Sequence, residues 1–187
     1  MAQPQRHYSL DDYFVVETDS VIKHEYYRGE IFAMAGASVA HNHIAANVLA
    51  FLRYALRGTG CSAFGSDLRV HTPGGLFTYP DVSVICGSVE LVPDRADTAT
   101  NPTVLVEVLS EATQEYDRGE KFSLYKAIPT LRDYVLIEQD RVAVEHWHLV
   151  RGGRWKRTVH RRQAAVVKLA AVRVDLPVAD LYREVAL

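Results

Sequence analysis

Two acidic residues stand in stretches that otherwise resemble buried β-strands. Glu107 lies within Val104–Leu109, an apolar run of the length typical of a strand covered on both faces. Asp81 opens a second such run, and strand alternation places its side chain on the face shared by Tyr79 and Ser83. A buried ionised carboxylate needs a cation, a bound metal or a shifted pKa. We therefore treat both residues as candidate functional residues, for metal binding or for catalysis.

The spacing of the two acids allows them to share one ion. They are 26 positions apart with a polar loop between them, so they can lie on neighbouring strands with their side chains on one sheet face. Two carboxylates held in this way repel each other unless a divalent cation binds between them, and oxygen ligands suit Mg²⁺ or Mn²⁺. Lys121, one turn into the next predicted helix, could reach back to stabilise negative charge or to help activate water.

The elements that position these residues alternate between helices and strands, which predicts an α/β (α+β) sheet with helices packed on it. Ser38 begins the best-defined helix, which runs to about Arg57 with an apolar stripe on one side. The other predicted helices are Ser9–Phe14 and Asp117–Ala127, and the predicted strands are Ile22–Tyr27, Glu30–Met34, Ser62–His71, Phe77–Cys86, Val104–Leu109, Asp133–Glu138, Val142–Leu149 and Arg154–Val159.

Composition limits the class of protein. The 187 residues are 48% hydrophobic, enough for one sizeable core, so we expect a single domain over residues 1–187. Met1–Arg6 contains no apolar signal region, and the chain has no apolar window near the roughly 20 residues that span a bilayer. We therefore expect a cytoplasmic protein with no membrane partner. Cys61 and Cys86 lack metal-site spacing, and we expect two small core residues rather than a disulfide.

Charge is distributed unevenly along the chain. Residues 141–187 hold ten Lys/Arg and four Asp/Glu, or +6, whereas residues 1–140 hold eleven and nineteen, or −8. Such an asymmetry can mark a nucleic-acid-binding face beside an acidic site. On a strand, Arg154 and Lys156 alternate with Trp155 and Arg157. These three cations are the predicted nucleic-acid contacts, although a solvated hairpin is the competing interpretation, and Trp155 is expected to pack on the sheet.

Several segments together resemble one known family, the Uma2 (DUF820-type) family of PD-(D/E)XK endonucleases. The resemblance covers most of the chain. The matching residues are Pro80-Asp81, Glu107-Val108-Leu109-Ser110, Asp117-Arg118, Lys121 and Tyr125, with further likeness in residues 24–30, 38–41 and 131–136. The family is usually bacterial, and membership implies a restriction-endonuclease-like fold, with a mixed central β-sheet flanked by helices.

The resemblance also implies an activity and a site. It implies hydrolysis of DNA phosphodiester bonds with Mg²⁺ or Mn²⁺, held by Asp81, Glu107 and the main-chain carbonyl of Val108. In the general signature a lysine follows two positions after the second acid, but Leu109 occupies that place. Lys121 is therefore the candidate for a migrated catalytic lysine. The implied partner is DNA, and a homodimer is a candidate assembly.

Three further residues are candidates for supporting roles, each with an alternative. Glu25 matches a family position and is either part of the site or a surface acid. His41 is either a hydrogen-bonded inner histidine or a residue that orients phosphate or water. Asp117 has the spacing of a helix N-cap. Asp81 as a strand-start residue and Lys121 as a solvated helix residue are the corresponding alternatives for the central positions.

Two functions from different classes follow from these observations. The first is a metal-dependent DNA endonuclease that uses Asp81, Glu107 and Lys121. The second is a catalytically inactive module that keeps the nuclease fold and binds nucleic acid or a protein partner, because a fold alone does not secure an activity. The chain lacks GxSxG, P-loop and dinucleotide glycine patterns, which argues against several other enzyme classes.

Overall fold

The structure is a computed structural model that describes residues 7–187. The Met1–Arg6 start, for which the sequence predicts no signal region, lies outside the described residues. The helical elements are α1 (Leu10–Asp19), α2 (Val39–Ala55), α3 (Gln114–Tyr116), a π-helical turn (Asp117–Lys121), α4 (Phe122–Tyr125), a 3₁₀ turn (Ala170–Val172) and α5 (Val178–Leu181). The strands are β1 (His24–Tyr27), β2 (Glu30–Ala33), β3 (Cys61–Gly65), β4 (Arg69–His71), β5 (Phe77–Thr78), β6 (Val82–Cys86), β7 (Thr98–Ala99), β8 (Val104–Leu109), β9 (Asp133–Glu138), β10 (Val144–Val150), β11 (Arg154–His160), β12 (Val166–Leu169) and β13 (Val174–Pro177).

Within the described residues, six strands form the central sheet in the order β11-β10-β9-β8-β6-β3. Only the β8–β9 pair is parallel, and the other neighbours in this sheet are antiparallel. The expectation of a mixed central sheet flanked by helices is therefore confirmed. β8 and β9 are buried along their whole length, as expected for central strands covered on both faces.

The two faces of the central sheet carry different layers. On one face, Val106 and Val135 pack with Val48 and Leu52 of α2 and with residues of α5 and the β12–β13 hairpin. On the other face, Leu105 and the remaining alternate residues pack beneath residues 114–125, which we call the site helix. This helix comprises α3, the π-helical turn and α4. Glu107 belongs to the second face because it alternates with Val106 along β8.

A smaller sheet, in the order β2-β1-β5-β4-β7, holds the N-terminal hairpin. The predicted turn at Arg28-Gly29 joins β1 to β2, and both residues have positive φ values of 49° and 85°. Glycine adopts this left-handed conformation without steric cost, which suits the turn. The sheet places Glu25 of β1 directly opposite Thr78 of β5, one step from the Tyr26–Phe77 pair.

Two long strands predicted from sequence are each divided between the two sheets. Ser62–His71 breaks at a turn after Gly65, so β3 joins the central sheet and β4 joins the smaller one. Phe77–Cys86 breaks around Pro80 in the same way, because proline has no N–H to donate to a strand ladder. α1 extends to Asp19, beyond the predicted end at Phe14, and its Ser9 N-cap forms a capping box.

The expectation for the cysteines is wrong. Cys61 and Cys86 form a disulfide that joins β3 to β6. The two residues are direct partners in the antiparallel register, with Cα atoms 3.9 Å apart. The pairing depends on strand register, which the spacing of two cysteines in a sequence does not reveal.

Candidate active site

Asp81, the residue immediately before β6, lies beside Glu107 of the neighbouring strand β8. β6 and β8 are antiparallel with Val82 opposite Val106, so the next pair in register is Asp81 and Glu107. Asp81 Oδ2 accepts a hydrogen bond from the Val108 N–H at 2.7 Å, and Oδ1 lies 2.9 Å from His41 Nε2. The side chains of Asp81 and His41 are 17% and 16% exposed, whereas that of Glu107 is 6% exposed. The site therefore opens to solvent on the Asp81 side.

The Lys121 ammonium group lies among three carboxylates in the described part of the chain. Its Nζ is 2.9 Å from Glu107 Oε1, 3.1 Å from Glu25 Oε1 and 3.4 Å from Asp117 Oδ1. All four of these side chains are nearly buried. A solvated helix position is therefore the wrong description of Lys121, and a surface position is wrong for Glu25. The buried ammonium compensates negative charge that burial would otherwise make costly.

The π-helical turn places Lys121 and Asp117 on the side of the site helix that faces the sheet. Asp117 lies inside the helix, whose first residue is Gln114, so the expectation of an N-cap is wrong. Such wide turns in helices occur frequently at functional sites. Two tyrosines fix the surrounding groups: the Tyr125 hydroxyl donates to Glu107 Oε1 at 2.8 Å, and the Tyr134 hydroxyl donates to the Asp117 carbonyl at 3.1 Å.

Thr78 is a site residue that sequence reasoning missed. Its hydroxyl donates to Glu25 Oε1 across the β1–β5 pair. The hydrogen bond holds the Glu25 carboxylate toward Lys121, so the smaller sheet contributes one wall of the site. An acid in a short hairpin strand opposite a threonine is a weak signal, because the sequence does not show that the hairpin packs beside the central sheet.

Burial dominates the electrostatics of these residues. It raises the pKa of Glu107 to about 8, with Asp117 and Asp81 adding to the rise and Lys121 opposing it. Burial also raises the pKa of Asp117, again against Lys121. For Lys121 burial alone lowers the pKa, but Glu107 and the neighbouring anionic groups outweigh it and raise the pKa well above the usual value. The ammonium is therefore charged at neutral pH.

A second charged cluster lies on the same sheet face. Arg118, one turn before Lys121, donates through Nε to Glu145 Oε1 at 2.8 Å and through Nη2 to Glu138 Oε1 at 2.5 Å. Arg157 Nη2 lies 2.7 Å from Glu145 Oε2, and Arg141 Nη2 lies 2.8 Å from Glu138 Oε1. We call these five residues the arginine cluster. In the strand register, Glu107 is opposite Leu136, which is opposite Glu145.

The basic hairpin divides its cations between the two faces. Arg157 lies on the face of Glu107, within the arginine cluster. Arg154 and Lys156 alternate with it on β11 and are exposed, so their side chains leave the opposite face. Trp155 packs with its ring centroid 5.4 Å from that of Phe122, as expected from the sequence. The nucleic-acid role of these three cations stays a prediction.

The donor chemistry of the site fits a hard divalent cation. Asp81 and Glu107 supply carboxylate oxygens from adjacent strands, and Asp117 and Glu25 add negative charge nearby. Among residues 7–187 no three His, Cys, Asp or Glu side chains are arranged to hold a metal ion together. The two carboxylates of Asp81 and Glu107 suit Mg²⁺, because this ion usually binds one or two carboxylates and completes its coordination shell with water and substrate oxygens.

The chain has a restriction-endonuclease-like fold, with a mixed central sheet flanked by helices. The structure superposes with a TM-score of 0.75 on the crystal structure of a "putative nuclease belonging to DUF820" from Anabaena variabilis. The match covers 92% of this chain and 96% of the other, at 20% sequence identity. At that identity the match shows the fold alone.

Sequence comparison defines the family. The model of the Uma2 family, described as "Putative restriction endonuclease", matches residues 10–179, and the chain belongs to this family. It is 34% identical over 181 residues to the uncharacterized protein slr1290 of Synechocystis sp., covering 95% of this chain and 93% of the relative. It is 30% identical over 164 residues to the uncharacterized protein sll1609 of the same organism, covering 87% and 93%. Within residues 7–187, none of the helices is long and apolar enough to cross a membrane.

Proposed function

We propose that this protein is a metal-dependent endonuclease that hydrolyses phosphodiester bonds in DNA. The observation that carries the proposal is the meeting of Asp81, Glu107 and Lys121: two carboxylates opposite each other on adjacent strands, with a buried ammonium 2.9 Å from one of them. Membership of the Uma2 family, whose model is described as "Putative restriction endonuclease", supports the same reaction and a nucleic-acid substrate. A cytoplasmic location would give such an enzyme access to DNA and belongs to the same proposal.

In this proposal Asp81, Glu107 and the Val108 carbonyl hold Mg²⁺ or Mn²⁺. Such an ion polarises a phosphoryl oxygen and lowers the pKa of bound water. The Val108 N–H already binds Asp81, and a strand residue directs its N–H and C=O toward the same neighbour. The carbonyl of Val108 is therefore aimed toward the side of Asp81.

The remaining residues orient these ligands and balance their charge. His41 fixes one oxygen of Asp81, and Tyr125 fixes one oxygen of Glu107. Lys121 keeps the buried anionic groups together and supplies positive charge where negative charge develops on the phosphate. Glu25, which accepts a hydrogen bond from Thr78, contacts that ammonium from the smaller sheet.

Nicking of supercoiled plasmid with Mg²⁺ and with Mn²⁺ tests the proposal. The parent protein should nick, Glu107→Gln and Asp81→Asn should lose at least about a hundredfold in rate, and all three proteins should stay folded. Asp175→Asn is the matched control, because Asp175 is an exposed strand acid on the remote β12–β13 hairpin; it should nick like the parent.

Calorimetric titration with Mn²⁺ separates the two functional hypotheses. Binding that weakens in Asp81→Asn supports a metal-dependent enzyme. Absence of Mn²⁺ binding and of nicking, with DNA binding retained, would instead assign the chain to the inactive nucleic-acid-binding class. Specific activity unchanged in Glu107→Gln would make Glu107 a structural buried acid.

A further inference from the structure

The arginine cluster lies beside the candidate active site but has no role in the proposed catalysis. Arg118 and Lys121 are three residues apart within the π-helical turn of the site helix. Lys121 contacts Glu107, while Arg118 contacts Glu138 and Glu145. A single helical turn therefore connects the site to the cluster.

The strand register gives the distance between them. Glu107 and Glu145 lie in the same row of the central sheet, two strands apart. Neighbouring strands are about 4.8 Å apart, so the two backbone positions are separated by about 10 Å. Phosphates of one DNA strand advance about 3.4 Å along the duplex axis per nucleotide. A backbone whose scissile phosphate lies at Glu107 would reach the arginine cluster within about three nucleotides.

The charges of the cluster favour an anionic ligand. Glu138 and Glu145 are nearly buried, whereas the side chains of Arg141 and Arg157 are 64% and 47% exposed. The carboxylates thus lie beneath the guanidinium groups and fix them in place. Within the five residues of the cluster, three guanidinium groups against two carboxylates leave one positive charge, and the neighbouring Asp140 also interacts with Arg141. Arginine presents several N–H donors in a rigid plane, a geometry suited to phosphate oxygens.

We propose that Arg118, Arg141 and Arg157, fixed by Glu138 and Glu145, bind the DNA phosphate backbone beside the scissile phosphate. The inference rests on the proposed endonuclease function and specifies which face of the basic hairpin meets the substrate. Arg157 serves as a backbone contact, whereas Arg154 and Lys156 leave the opposite face of the sheet. Binding of this kind is independent of base sequence.

Two paired substitutions test the assignment. Arg141→Gln with Arg157→Gln removes two cations from the cluster, yet Arg118 still pairs with both Glu138 and Glu145, so neither carboxylate is left alone. Arg154→Gln with Lys156→Gln removes the same charge from the opposite face of the hairpin. Affinity for a fluorescein-labelled 30-base-pair duplex is measured by anisotropy in EDTA between 0.05 and 0.3 M salt.

The cluster pair should weaken binding to duplexes of unrelated sequence alike. Each lost phosphate contact should reduce the slope of log affinity against log salt by about 0.9, or about 1.8 for the pair. Between 0.05 and 0.3 M salt, the ratio of parent to variant affinity should therefore fall by about 25-fold. The opposite-face pair should bind within about twofold of the parent. Should the cluster pair unfold, the single variant at the more exposed Arg141 should still reduce the slope by about 0.9.

The outcomes separate this inference from the catalytic proposal. Equal losses in the two pairs, or a larger loss in the opposite-face pair, would overturn the inference while parent nicking upholds the function. Binding without nicking, with the loss confined to the cluster pair, would support the inference and remove the catalytic proposal. A parent protein that neither binds nor nicks DNA overturns both.

Discussion

Glu107 and Glu145 are nearly buried carboxylates in one row of the same sheet face, yet their surroundings shift their pKa values in opposite directions. Burial raises the pKa of Glu107 to about 8, and Lys121, which also contacts Glu25 and Asp117, opposes the rise without cancelling it. Burial also acts to raise the pKa of Glu145, but hydrogen bonds from Arg118 and Arg157 outweigh it and lower the pKa. Burial prevails over the single ammonium of Lys121 at Glu107, whereas two guanidinium groups outweigh burial at Glu145.

The two regions differ in the sign of their net charge. Around Lys121 the described acids outnumber the cation, so excess negative charge is available to bind a further positive ion. In the arginine cluster the cations outnumber the acids, which leaves capacity for an anion. A metal ion and a phosphate backbone are the complementary ligands, and the site helix carries Lys121 and Arg118 to the two regions from one turn.

Removing the central cation of each region should give the largest contrast. Lys121→Met leaves Glu25, Glu107 and Asp117 without their shared ammonium, and breaking a buried pair in this way typically costs about 3–5 kcal/mol. Arg118→Met leaves Glu138 with Arg141 and Glu145 with Arg157, so its loss should be only about 1 kcal/mol.

Urea unfolding at pH 8 measures both variants. The Lys121→Met deficit should shrink at pH 5, because the raised pKa values of Glu107 and Asp117 favour protonation there. Plasmid nicking should disappear in Lys121→Met. A deficit equal in the two variants would contradict the distinction drawn between the regions.

Glu107→Gln should remove part of the pH dependence that the parent protein's stability shows. The pKa of Glu107 is higher in the folded chain than in the unfolded chain, so its contribution to stability is present at low pH and is lost as pH rises toward about 8. Glutamine does not titrate. Relative to the parent, the variant should gain at least about 1 kcal/mol between pH 5 and pH 8, the equivalent of roughly one pKa unit. Parallel unfolding curves across this range would contradict a raised pKa.

Glu145→Gln should give the opposite sign with a smaller amplitude. The pKa of Glu145 is lower in the folded chain, so its contribution is present above the unfolded pKa and is lost as pH falls through the folded pKa. The variant should be less stable than the parent by about 1 kcal/mol at pH 7. That gap should narrow as pH falls below the unfolded pKa of about 4.3; a gap that stays constant from pH 7 down to the acid unfolding of the parent would refute the ion-pair explanation.

The sequence contained the central features of the site but not its full surroundings. Asp81 and Glu107 could be predicted to lie close together because each belongs to an apolar segment typical of a strand, and the two segments follow one another with one loop between them. The contact of Glu25 with Lys121 could not, since it depends on how the smaller sheet packs against the site helix. Arg118 contacts Glu138 and Glu145, which are 20 and 27 positions away. This contact depends on the pairing of β9 with β10, which the sequence does not reveal.

The same distinction explains the errors in the fold. Hydrophobic periodicity predicted the segments that form the strands of the central sheet and the long helix from Ser38, because alternation and helical stripes are local properties. It did not reveal that Ser62–His71 and Phe77–Cys86 each divide between two sheets. It also did not reveal the Cys61–Cys86 bond or the position of Asp117 inside a helix, because each depends on register or on where a turn begins.

The smallest expected effect separates the orientation of Glu107 from general packing. Tyr125→Phe removes one hydrogen bond to Glu107 Oε1, which should cost about 1 kcal/mol of stability. Since a donor to the ionised form favours ionisation, its loss should raise the pKa of Glu107 further. If the ionisation of Glu107 controls the rate, the pH at which nicking increases should be higher in Tyr125→Phe than in the parent, by less than one pH unit.

Tyr134→Phe is the matched control, because its equally buried hydroxyl binds the Asp117 carbonyl instead. It should cost similar stability and leave the pH profile of nicking in place. Equal displacement of both profiles would show that the tyrosines act through packing, and an unmoved profile in Tyr125→Phe would separate Glu107 from the ionisation that controls the rate.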